Sequence, residues 1–214
     1  MSRTAREAGA TPVACTVLAL AVAMGTSAVA AQPASETKTF ESEQFHYSVA
    51  VPAGCRYEEG PGTLDAICSP GLEPEKSASA SAAAALVLEV GVEVVREDAG
   101  REPAELAQRY GEGEFKSELP EAVCGEADRA RVKIEDAKEV IEAARVVYTA
   151  TVACPEIKFL ALGERRAAVR FLITPGLRYR LMARALKEDF EQRKETIDAF
   201  FTSFRILPES KKSQ

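Results

Sequence analysis

Five arginines near the C-terminus stand out as groups that could do chemistry: Arg166 and Arg170 in one alternating segment, and Arg178, Arg180 and Arg184 in the next. If the two segments form a hairpin through a three-residue loop, Thr174 to Gly176, then Ile173 pairs with Leu177, Phe171 with Tyr179 and Val169 with Leu181. That register sets Arg170 across from Arg180 and Arg166 across from Arg184, with Arg178 beside them on the same face. Like charges directly opposite on a sheet are unfavourable, so something must compensate. Two readings follow. Acidic side chains such as Glu112, Glu114 or Glu188 form an internal salt-bridge layer, or the arginines are a candidate binding surface for an anionic ligand or partner.

Other reactive side chains give less. His46 is the one histidine. The alternation Phe45, Tyr47, Val49, Val51 places it on the opposite strand face, with no general-base partner implied by spacing. Carboxylate pairs abound, including Glu58 with Glu59, Glu112 with Glu114 and Glu135 with Asp136, but acidic side chains at this density usually solvate a surface. The run from Gly111 to Lys116, G-E-G-E-F-K, lacks phosphate-loop spacing, and no nucleophile-elbow or zinc-protease pattern occurs. The sequence nominates no catalytic residue, metal ligand or cofactor site.

The chain has 214 residues, 46% of them hydrophobic and 28% charged, as expected for an ordinary globular domain. Arg3 and Arg6, the apolar run Val13 to Met24 and the small residues Ala28, Val29 and Ala30 have the three-part layout of a signal peptide cleaved near Ala30. Cys15 is discarded with it. Cleavage leaves 25 basic and 32 acidic residues, a net charge of −7. That balance disfavours nucleic acid, which calls for a basic stripe. No later stretch reaches the roughly 20 apolar residues of a transmembrane helix.

The four remaining cysteines, Cys55, Cys68, Cys124 and Cys154, are an even set in an exported chain and read as two disulfides. Gly60 to Thr63 mark a turn midway between the first two, so a hairpin there opposes Cys55 to Cys68 and leaves Cys124 to Cys154. Zinc ligation would need thiolates almost alone, which an oxidising compartment disfavours.

The elements follow from periodicity. Strands are expected over Gln44 to Val51, Leu86 to Val94 and Val146 to Val152, followed by the arginine hairpin; residues 135–144 fit helix and strand almost equally, since Ala137, Val140, Ile141 and Ala144 also match helical spacing, and a hairpin turning near Glu142 to Ala144 is favoured. Pro103 to Tyr110 suggests a short helix weakened by Gly111 and Gly113. Asp189 and Gln192 suggest a capping box opening a helix with Phe190, Ile197, Phe201 and Phe204 on one face. The expected organisation is a signal peptide over 1–30, a flexible leader over 31–39, one domain over 40–207 with a flexible connector at 70–82, and a disordered tail over 208–214.

Two stretches carry a family resemblance. Phe45 to Pro52 reads F-x-Y-x-V-x-V-P; Tyr179, Leu181 and Ala183 lead to Phe190, Thr196, Phe200, Phe201 and the ending Ser203, Phe204, Arg205, Ile206. Together they resemble the PsbP-like superfamily, which includes the Mog-type Ran-binding proteins. The resemblance implies an α/β (α+β type) sandwich with an antiparallel sheet between helices, and binding or assembly roles without common enzyme chemistry. The four mature cysteines, single histidine and absent tryptophan depart from the plant members, so neither metal binding nor photosystem docking carries over. The sequence reading is a periplasmic or secreted, non-enzymatic domain that binds a protein or an envelope component. Its alternatives are a hydrolase using acidic residues in a cleft and an inhibitor or immunity-type protein.

Overall fold

The computed structural model describes residues 37–68, 86–110, 112–124, 131–155 and 163–208, without the side chains of 112–114 and 116. All of them belong to one compact unit, Ala34–Gln214. The expected signal peptide, most of the leader, the connector at 70–82 and the tail beyond Pro208 lie outside the described residues.

Among the described residues ten strands and four helices follow one another as β1 (Lys38–Ser42), β2 (Tyr47–Val51), β3 (Cys55–Gly60), β4 (Thr63–Cys68), β5 (Leu86–Val94), a 3-10 turn (Arg96–Asp98), α1 (Pro103–Arg109), α2 (Glu112–Cys124), β6 (Lys133–Glu142), β7 (Arg145–Cys154), β8 (Arg165–Thr174), β9 (Leu177–Leu186), α3 (Lys187–Gln192), α4 (Lys194–Ser203) and β10 (Arg205–Ile206). A seven-stranded sheet has the order β3-β4-β5-β9-β8-β7-β6; a small sheet has the order β1-β2-β10. Every described strand pairing is antiparallel.

The large sheet is buried on both faces, but by different layers over different halves. On one face Leu64, Ala66, Leu86, Leu88, Val90, Tyr179, Leu181 and Ala183 pack with Tyr47, Val49 and Val51 of β2 and with Phe190, Ile197, Phe200, Phe201 and Phe204 of the C-terminal helices. On the other, Val146, Tyr148, Ala150, Val152, Val169, Phe171 and Ile173 pack with Leu106 and Tyr110 of α1 and Phe115, Leu119 and Val123 of α2. The apolar row of β8 therefore serves the α1/α2 layer, and the apolar row of β9 serves the opposite one. Ser203 ties the α4 end to β2, its hydroxyl accepting from the Ala50 amide at 2.9 Å and donating to the Phe200 carbonyl at 2.8 Å.

Both expected disulfides are present. Cys55 joins Cys68 across a register that sets them directly opposite, and Cys124 at the end of α2 joins Cys154 at the end of β7. The turn after β6 and the 103–109 helix also match expectation.

Other boundaries differ. The strand read from Gln44 begins at Tyr47, because the preceding residues form a turn in which His46 has a φ of 50°, so His46 is not a strand-face residue. Lys38 and Thr39, read as leader, pair with Val51 and Ala50 in β1. Asp189 caps nothing: α3 starts at Lys187 after the extended Leu186 without a side-chain cap, and the helical stretch breaks at Arg193. Helix α2 was not anticipated, since Gly111, Gly113 and the internal Pro120 all weigh against a helix. Its one sequence signal is Phe115, Leu119 and Val123 at four-residue spacing.

The corner between β5 and α1 is held by a buried carboxylate. Asp98 is 1% exposed, accepts from the Tyr110 hydroxyl at 2.5 Å and ion-pairs with Arg109 at 3.3 Å and Arg101 at 3.5 Å. Burial, then this bond, pushes the Tyr110 phenol up to about 12. Asp98→Ala leaves the phenol without its acceptor and should lower the unfolding free energy by about 2 kcal/mol, measured by urea denaturation. A change below about 0.5 kcal/mol, the range of ordinary surface substitutions, would show that the corner does not depend on Asp98.

Candidate functional site

The arginine hairpin closes through two residues, not three. Thr174 pairs with Leu177 around Pro175 and Gly176, whose φ is 83°, and the Thr174 hydroxyl donates to the Leu177 carbonyl at 3.1 Å. Proline then glycine at the two central positions fits a turn needing a fixed negative φ followed by a positive one. The register shifts by one residue: Phe171 opposes Arg180, Arg170 opposes Leu181, Arg166 opposes Ala185, and Ala167 opposes Arg184. The single arginine face inferred from sequence is therefore corrected. Arg166 and Arg170 lie on the α4 side, while Arg178, Arg180 and Arg184 lie on the α1/α2 side. The inference failed on its premise that the apolar rows of β8 and β9 face the same layer.

Three of the five arginines have carboxylate partners. Arg166 approaches Glu191 at 3.0 Å, Glu164 at 3.7 Å and Glu135 at 3.8 Å. Arg178 bridges Glu93 at 2.8 Å and Glu118 of α2 at 3.3 Å, and its guanidinium lies over the Tyr110 and Phe171 rings. Arg184 meets Glu89 at 3.1 Å. The acids expected at the sequence level were others: Glu112 and Glu114 have no described side chains, and Glu188 is not among the ion-pair partners.

Arg180 has no hydrogen-bond or ion-pair partner among the described residues, and its Nε is buried and unbonded. It extends over Gly91, where an added Cβ would sit 3.6 Å from its Nη2. The surrounding surface is the β3–β5 half of the α1/α2 side. The paired rows place Arg56, Ile67, Val87 and Arg184 in one line, Glu58, Asp65 and Glu89 in the next, and Thr63, Gly91 and Arg180 in a third. Ile67 is 38% exposed there, and the Arg56 and Glu58 side chains are 61% and 83% exposed.

Glu89 is the strained member of this surface. Burial raises its pKa, outweighing Arg184 and, more weakly, Arg180, and Asp65 directly opposite adds to the rise. A folded-state pKa above the unfolded value means the folded chain binds the proton more tightly. The resulting destabilisation is fully present above the folded pKa and disappears as pH falls below the unfolded one. Relative to Glu89→Gln, the wild-type Tm should therefore rise as pH is lowered from neutrality through the folded pKa of Glu89. A wild-type Tm that instead falls relative to Glu89→Gln on acidification would reverse the assignment.

On the opposite side, Arg170 stacks over the Phe201 ring at 5.3 Å and donates to the Phe201 carbonyl at 3.1 Å. It lines a cavity of about 230 Å³ with Asp136, Thr149, Thr151, Ala168 and Phe201. A second cavity of about 490 Å³, beside Cys154, is lined by Arg131, Lys133 and Glu164 among others. Among the described residues each is lined by one carboxylate, Asp136 in the first and Glu164 in the second. Among the described residues no group of three or more His, Cys, Asp or Glu is placed to hold a metal ion.

Taken together, the layers define an α+β sandwich in which, among the described residues, each helical layer packs on a different half of the sheet. No protein-family model matches the chain, and neither does any curated protein. Solved structures do. Cyanobacterial PsbP (CyanoP) from Synechocystis sp. PCC 6803 is similar at a TM-score of 0.50 and 14% identity, over 81% of this chain and 94% of that one. LpqN of Mycobacterium tuberculosis, described as involved in cell envelope biogenesis, is similar at 0.52 and 10%, over 81% and 91%. The chain has a PsbP-like fold.

Proposed function

We propose that the protein is an exported, non-enzymatic binding or assembly-factor domain that docks a protein or envelope component on the β3–β5 half-face around Arg180. The observation behind this is the unpartnered arginine itself. A part-exposed guanidinium laid over a glycine, on a sheet face that also carries the exposed Ile67 and the arginines Arg56 and Arg184, offers a cation that a partner's carboxylate can neutralise. Export is supported by the two disulfides, which persist in oxidising compartments, and by the signal-like first thirty residues. The envelope role described for LpqN fits such a location. The acidic-hydrolase alternative gains nothing from the cavities.

A photocrosslinking residue tests the surface. Placed at Ile67 in cells, it should yield a discrete adduct; placed at exposed Glu195 on α4, it should not. Adducts from Glu195 alone would move the interface to the other side. N-terminal sequencing of the protein recovered from the periplasm or medium should begin near Ala31. An intact Met1 terminus in the cytoplasm would contradict export.

A further inference from the structure

The Arg170 cavity has the makings of a separate site for a small molecule. Thr149 opposes Arg170, and Thr151 opposes Ala168, in the β7–β8 register, so all four side chains project to the same side. Ala168 is the small member of that floor and leaves the space open. The walls are Phe201 of α4 and Asp136, which sits in a β-bulge of β6 with a φ of 51°. Bulges re-aim side chains, and this one lies at the rim of the cavity.

Arg170 is oriented before any ligand arrives, held by the ring and carbonyl of Phe201. Among the described residues no carboxylate lies within ion-pair distance of it, in contrast to Arg166 four residues earlier. Burial and then the nearby Arg145 lower its pKa, against smaller opposing effects of Glu142 and Asp198. Among the described residues that guanidinium has no carboxylate in direct contact, only the more distant Glu142 and Asp198. Two hydroxyls beside it accept or donate, and the Asp136 carboxylate accepts.

We propose that this cavity binds a small polyhydroxylated carboxylate of the hexuronate class, with its carboxylate on Arg170 and its hydroxyls on Thr149, Thr151 and Asp136. The volume, below the roughly 300–1,000 Å³ of pockets for drug-sized ligands, limits the occupant to a single small molecule. The single acid at the far wall disfavours a dianion and favours hydroxyl donors at the end remote from the carboxylate. This site faces away from the Arg180 surface, so either can fail without the other.

Sodium glucuronate is the probe, titrated into the isotopically labelled protein as exported and oxidised, with amide shifts followed by NMR. Saturable shifts are expected at Thr149, Thr151 and Ala168. Binding should weaken at least tenfold with glucose, which lacks the carboxylate, and with Arg170→Gln. Ala168→Leu, which keeps the arginine and fills the floor, should weaken it as much, while Arg180→Gln should leave it unchanged. Unmoved amides in the folded wild type would overturn the proposal, as would glucose or Ala168→Leu binding within about twofold of wild type and glucuronate.

Discussion

Replacing Phe115 by alanine is expected to lower the unfolding free energy by about 3–5 kcal/mol, the usual cost of emptying a fully buried aromatic site. Phe115 is 0% exposed and stacks on Tyr148 at 4.7 Å, with Phe171 at 4.9 Å and Tyr110 at 6.3 Å between ring centroids. It is the residue through which α2 meets β7 and β8, and its loss leaves a cavity that rigid rings on three sides cannot fill. Urea denaturation at constant m-value measures the change. A loss below about 1 kcal/mol would mean that α2 does not pack on the sheet as described.

Removing the Cys124–Cys154 bridge by a double alanine substitution should cost about 3–4 kcal/mol, from the loop-entropy relation for a separation of 30 residues. The Cys55–Cys68 bridge spans only 13 residues, and the same relation gives about 3 kcal/mol. The ordering matters more than either value. The first bridge also anchors the end of α2, so its loss should expose Phe115 and Leu119 to faster amide exchange around them. The second only staples an already hydrogen-bonded hairpin. Equal or reversed losses would contradict the role given to α2.

Much of this architecture is legible in the sequence where one periodic signal has one interpretation. The alternations in β5 and β7, the turn residues between Cys55 and Cys68, and the phenylalanines of the C-terminal helices each point to a single local structure. The arginine hairpin was not legible to the same depth. Its strands were visible, but the register depended on assuming that two apolar rows face one core. In this sheet the buried side switches between β8 and β9, so Phe171 and Arg180 share a face, with the ring against Phe115 of α2 and the guanidinium over Gly91. Local pattern does not encode which layer will cover a strand; that depends on chain segments far away, here α1, α2 and α4.

Helix α2 illustrates the converse. Its glycines and proline argue locally against a helix, and the packing of Phe115, Leu119 and Val123 prevails over that propensity. The candidate site inherits both lessons. Five arginines singled out by an inferred common face separate into three with carboxylate partners, one stacked beside a cavity and one without a described partner. Their chemistry differs through neighbours such as Gly91 and Phe201 that carry no charge.

The most direct test of the docking surface is capture of the partner by crosslinking in the native envelope, comparing wild type with Arg180→Glu and Arg170→Glu, each first shown to be folded by its unfolding transition. A partner retained by wild type and Arg170→Glu and lost with Arg180→Glu is the result predicted here. Capture unaffected by Arg180→Glu, or lost only with Arg170→Glu, would contradict the assignment of binding to the β3–β5 half-face.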